Sequence, residues 1–152
     1  MKTYLTILAT CFCLVVAAQS QEAARRRNFN NDHDVAIKEF DPVSYFSGKP
    51  QRGNAKISYT YKGIVYYFSS EANRDTFEKA PGKYEPAYGG WCAYSMAVTG
   101  ERVKMDPTTY KIINGKVYLF SNFNGSSSLL KWNANEKKFK KAADQNWISK
   151  MY

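Results

Sequence analysis

The sequence predicts an α+β fold: a small antiparallel sheet from two β-hairpins, packed with several short helices in a single domain. Three observations predict it. Ile57, Tyr59 and Tyr61 alternate with polar residues, turn at Lys62-Gly63 and return as Ile64 to Phe68, a run of β-formers. Tyr110, Ile112 and Ile113 lead into Asn114-Gly115, a strong two-residue hairpin signal, and Val117 to Phe120 return. Short segments with helix caps and stops separate and follow these hairpins, and such mixed order suits an α+β domain. A chain of 152 residues is of ordinary size for one domain.

The elements follow in chain order. Lys2 and the apolar run Leu5 to Ala18, followed by small residues, have the pattern of a cleavable export signal over residues 1–20. Residues 21–33 form a polar, flexible, basic arm with Arg25-Arg26-Arg27, and the folded domain spans 34–150. Val35 to Phe40 is a short strand. Asp41 caps a short helix with Pro42 at its first position, which Gly48 ends. After the first hairpin, Ser69 or Ser70 caps a helix over Ser70 to Lys79, with Ala72, Thr76, Phe77 and Ala80 on its inner side; Pro81-Gly82 stops it. Gly90 to Val98 is helical, the second hairpin follows, and Leu129 to Trp132 begins another helical segment. Glu136 to Ile148 is the last helix, with Phe139, Ala142, Ala143 and Trp147 at helical spacing. No repeat of fixed period is evident, although two hairpins and two Asp-Pro pairs hint at a rough pseudo-symmetry.

Composition narrows the function. The formal charge of +9 would favour acidic partners, but the lysines are spread out and export argues against nucleic acid. Nothing after Ser20 is apolar enough to span a membrane, so the mature chain has no transmembrane segment. Cys11 and Cys13 lie in the leader, which leaves Cys92 as the one mature thiol and excludes an internal disulfide. In a helix from Gly90, Cys92 and Met96 share a face at i and i+4, a soft pair suited to copper(I), with His33 or Met105 able to complete the set. Gly89 and Gly90 permit close approach of a ligand to the backbone, beside Trp91. The alternative is that Cys92 and Met96 are core residues and the glycines a tight bend. Calcium-loop, phosphate-loop and zinc-protease patterns are absent.

Asp41-Pro42-Val43, Tyr59-x-Tyr61-x-Gly63-x-x-Tyr66-Tyr67-Phe68-Ser69-Ser70, Phe77, Pro81 and Tyr84 resemble the YHS domain family. Ala36-Ile37, Tyr88-Gly89-Gly90-Trp91-Cys92-Ala93 and Asn114 to Leu119 extend the resemblance to its exported, stand-alone branch, from Val35 to Trp147. The resemblance implies a relative of small metal-binding modules in copper-transporting ATPases and metal sensors. Those relatives carry cysteines where this chain has Ser44, Ser69 and Asn73, so a multi-thiolate zinc or copper(I) site there is lost. The expected function is therefore an exported, periplasmic or extracellular, non-enzymatic YHS-type protein. It would bind a copper-like soft ion at Cys92 and Met96, or a small ligand near Gly89, Gly90 and Trp91, with an envelope protein as a further partner. The competing readings are an interaction module with an inert, buried Cys92, and a thiol-dependent enzyme.

Overall fold

The computed structural model describes residues 19–151. The expected export signal, with Cys11 and Cys13, lies outside the described residues except for its last two positions. Within them the α+β fold is as expected, and no described helix is long and apolar enough to cross a membrane.

The expected flexible arm of 21–33 is instead ordered structure. Residues 19–28 are helical (α1), and Asn31–Asp32 (β1) pairs with Val35–Ala36 (β2). The polar composition concealed the reason. Phe29 is buried edge-on against Trp147, with ring centroids 5.8 Å apart, and the Arg25 guanidinium lies 4.2 Å from the Phe29 ring centre. Asn30 is buried too, donating its backbone N–H to the Gly89 carbonyl and its side-chain amide to the Gly90 carbonyl.

The first hairpin joins Asn54–Tyr61 (β3) to Ile64–Phe68 (β4), in a four-stranded sheet ordered β1-β2-β4-β3 with β2 parallel to β4. Period-two alternation buries Ile64, Tyr66 and Phe68 and leaves Val65 and Tyr67 half-buried. Ser70 caps Glu71–Lys79 (α2) by accepting the Asn73 N–H. That helix delivers Phe77 to a cluster of Tyr59, Tyr61, Tyr66 and Phe68 rings, centroids 4.7 to 6.3 Å away. Ala72, expected inside, is exposed. Pro81 opens a further turn of helix, Pro81–Tyr84 (α3). The strand expected from Val35 to Phe40 ends at Ala36, because Ile37, Lys38 and Glu39 turn with positive φ. The helix expected after Asp41-Pro42 is one tight 3-10 turn, Ser44–Ser47.

The second half holds Ala93–Val98 (α4), Asp106–Ile113 (β5), Lys116–Phe120 (β6), the short pair Asn122–Phe123 (β7) and Ser126–Ser127 (β8), Ser128–Asn133 (α5) and Glu136–Met151 (α6). Helix α4 starts three residues later than expected. Tyr88, Gly89 and Gly90 all have positive φ, which no α-helix admits.

The hairpins repeat one another in detail. Every pairing of β3 with β4 recurs 52 positions later in β5 with β6: Asn54↔Phe68 as Asp106↔Phe120, Ser58↔Tyr67 as Tyr110↔Leu119, Tyr61↔Ile64 as Ile113↔Lys116. The register irregularity falls at the same place in both. Strand β6 joins the halves. Val117 and Leu119 pack into the first core cluster, and Tyr118 and Phe120 into the second, with Trp147 against both.

Candidate functional site

Three places were marked by the sequence or are formed by the fold. The first is the set Ser44, Ser69 and Asn73, which the resemblance places where metal-binding relatives carry cysteines. The buried Asp41 carboxylate receives the N–H groups of Val43 (2.8 Å) and Ser44 (3.3 Å) on one oxygen. On the other it receives the Ser69 N–H (2.9 Å), the Ser69 hydroxyl (2.6 Å) and the Asn73 amide (2.6 Å). Ser44 also donates its hydroxyl to the Asp41 carbonyl. Ser44, Ser69 and Asn73 thus surround a carboxylate. The chemistry is that of a hydrogen-bonded loop lock, and it does not fit a soft metal ion.

The second place is Cys92. It sits at the position preceding α4, not within its first turn, and it is 0 % exposed. Its sulfur accepts the Ser121 N–H at 3.3 Å, donates to the Ser121 hydroxyl at 3.5 Å and lies 3.3 Å from the Ser128 hydroxyl. Burial pushes the thiol pKa up, but hydrogen bonds with Ser121, Ser128 and Ser95 together leave it below its ordinary value. This is the Asp41 arrangement again. Ser69 follows Phe68 at the end of β4 as Ser121 follows Phe120 at the end of β6, and each serine brings both its N–H and its hydroxyl to the central group. Ser44 and Ser95 each stand three residues after that group.

Of the expected partners of Cys92, Met96 follows one turn on, its N–H donating to the Cys92 carbonyl at 3.0 Å, while Met105 and His33 belong to other segments. Met96 is fully buried in the second core cluster, Met105 in the first, and the His33 side chain is 97 % exposed in the β1–β2 turn. Among the described residues no group of three or more His, Cys, Asp and Glu could hold a metal ion. Gly89, Gly90 and Trp91 do come together, and they anchor the segment after α1. Besides the two glycine carbonyls bound by Asn30, the Trp91 indole donates to the Asn28 carbonyl at 2.6 Å.

The third place is a cleft of about 310 Å³ at the seam between the core clusters, in front of Tyr88-Gly89. Phe29 and Trp147 line its apolar side, and Glu85, Tyr88, Lys116, Tyr118 and Asp144 its polar side. Gly89 is required here: at φ 58°, an added Cβ would lie 2.9 Å from both the Phe29 and Trp147 rings. Glu85, only 10 % exposed, is held by an ion pair with Arg25 and by the Tyr66 hydroxyl, which donates at 2.5 Å. Burial, then the Glu85 charge, pushes the Tyr66 phenol well above its ordinary pKa. Tyr88 donates to Asp144 at 2.9 Å, and Lys140 pairs with the same carboxylate at 2.8 Å. Burial raises the Tyr88 pKa, and the Asp144 bond adds to it. Lys116 donates to the Gly82 carbonyl at 2.7 Å. Burial lowers its pKa, opposed by nearby Glu85.

Sequence reasoning found Gly89 but missed the polar wall. Glu85 is a carboxylate between Tyr84 and Pro86 in an otherwise aromatic stretch, a visible sign of a buried charge. Its partner Arg25 is 60 positions away, and nothing local names it.

Among known proteins, the model of the YHS domain family matches residues 43–88. That span runs from the residue after Pro42 to Tyr88 and takes in the first hairpin, α2 and α3. No curated protein and no solved structure matches the chain.

Proposed function

We propose, from the premise that residues 43–88 form a YHS domain, that this is an exported, non-enzymatic binding domain for a small organic ligand. The ligand sits in the seam cleft, and the soft-metal chemistry of the cysteine-bearing relatives is gone. One observation carries the reading. The cleft combines aromatic walls with converging charged and hydroxyl groups, the composition of a small-molecule site. Two further features support it. The family's thiolate positions serve the Asp41 carboxylate, and Cys92 is sealed among serines. A nucleophilic role for Cys92 has no support either, since His33 lies at the surface and, among the described residues, the sulfur's hydrogen-bond partners are serines.

A copper(I) competition titration tests the choice between ion and organic ligand. The full mature chain and its Cys92→Ser variant are expected to behave alike, neither taking up copper(I) in stoichiometric amount. One equivalent bound by the natural chain and lost in Cys92→Ser would restore the metal site. Export is tested by fractionation of the source cells. Recovery of the full-length chain with an intact leader from the cytoplasm would contradict it.

A further inference from the structure

The seam cleft carries more than an address. Its charges do not balance. Arg25 is paired with Glu85 and Lys140 with Asp144, while Lys116 has no ion-pair partner among the described residues. With the cations that pair to its two lining carboxylates counted in, three cations accompany two carboxylates, and Lys116 is the one that lines the cleft. Lys116 is half-buried along its length, and its ammonium, at the exposed rim, is bonded to one backbone carbonyl, with donors to spare. A cation without an ion-pair partner attracts an anion, and its spare donors offer that anion charge-assisted hydrogen bonds. The apolar side of the cleft, Phe29 and Trp147, is fixed edge to face and offers a wall to a non-polar body.

Building on the binding role proposed above, we infer that the ligand is a small organic carboxylate, its anionic end on Lys116 and its apolar body against Phe29 and Trp147. A single negative charge neutralises the one surplus cation. A phosphate dianion would leave the cleft with excess negative charge beside Glu85 and Asp144. A ligand cation would meet Lys116 with no free carboxylate to receive it, because Arg25, Tyr66, Tyr88 and Lys140 occupy both acids.

The test uses the full mature chain and four probes: benzoate, benzyl alcohol, benzylamine and inorganic phosphate. Binding is read from the indole N–H resonance of Trp147 by NMR. Benzoate is expected to shift that resonance saturably, about tenfold more tightly than benzyl alcohol, the value of one charge-assisted hydrogen bond. Lys116→Gln is expected to remove that advantage and Lys116→Arg to retain it. Both variants are first checked for native circular dichroism, and the arginine variant keeps the test valid if the glutamine variant misfolds. Benzyl alcohol or benzylamine binding as well as benzoate would overturn the carboxylate assignment and leave the cleft as a ligand site. Phosphate displacing benzoate at equal concentration would also overturn it. No shift of Trp147 with any probe would overturn the cleft itself.

Discussion

At the scale of single residues, the Asp41 carboxylate accepts bonds from Ser69 and Asn73, which are 28 and 32 positions along the chain, and so fastens its own loop to the β4–α2 junction. Asp41→Ala would leave the Val43, Ser44 and Ser69 N–H groups and the Ser69 hydroxyl without their carboxylate acceptor, the Asn73 amide keeping only its 3.3 Å bond to the Ser69 hydroxyl. We expect a loss of roughly 3 kcal/mol in urea denaturation, the cost of orphaned buried donors. Cys92 holds the second half in the same way with sulfur. Its thiol is expected to resist labelling in the native protein at neutral pH and to react at once after denaturation. Rapid native labelling would show the sulfur accessible and contradict its sealing. The Asp106 carboxylate opposes burial by accepting the N–H and hydroxyl of Thr108 and the hydroxyl of Thr109, with Lys38 nearby, and its pKa is lowered. A depressed folded-state value stabilises above the unfolded-chain value, and that contribution is lost as pH falls through the folded one. Asp106→Asn should therefore flatten the acid end of the stability curve, measured by thermal melts across that range.

At the scale of elements, the hairpins and α2 were legible because their signals are local. Alternation, a two-residue turn and a serine cap each act within a few residues. Ser70→Ala is expected to cost about 1 kcal/mol, as loss of a helix cap does elsewhere. Helix α1 was not legible. It buries no residue of its own; its apolar anchor, Phe29, follows it, and its charge, Arg25, is satisfied by Glu85 across the fold. The start of α4 was misplaced because the sequence does not reveal that Tyr88 takes positive φ with the two glycines. Deleting residues 19–30 would strip Glu85 of its cation and uncover Trp147. Loss of one partner of a largely buried pair costs roughly 3–5 kcal/mol, so the shortened chain should melt well below the full one. Equal melting temperatures would return that segment to the status of a loose arm.

At the scale of the whole molecule, two hairpin units of equal register meet at β6, whose side chains enter both core clusters, and the cleft lies where those cores meet. The sequence only hinted at the duplication, through its two hairpins and two Asp-Pro pairs, because the geometry repeats while most residues do not. Asp41 becomes Cys92, and Tyr67 becomes Leu119. The candidate site was half legible for the same reason: Gly89 announced itself, whereas Lys116, Glu85 and Asp144 converge only in three dimensions. A strand buried in both clusters should make unfolding a single cooperative step. Tryptophan fluorescence and far-ultraviolet circular dichroism are expected to give one coincident transition.

The most direct measurement is native mass spectrometry with elemental analysis on the chain purified from its own compartment. The proposed role predicts no stoichiometric metal and a bound organic species that is lost when Lys116 is replaced by Gln. One copper per chain, lost when Cys92 is replaced by Ser, would contradict it.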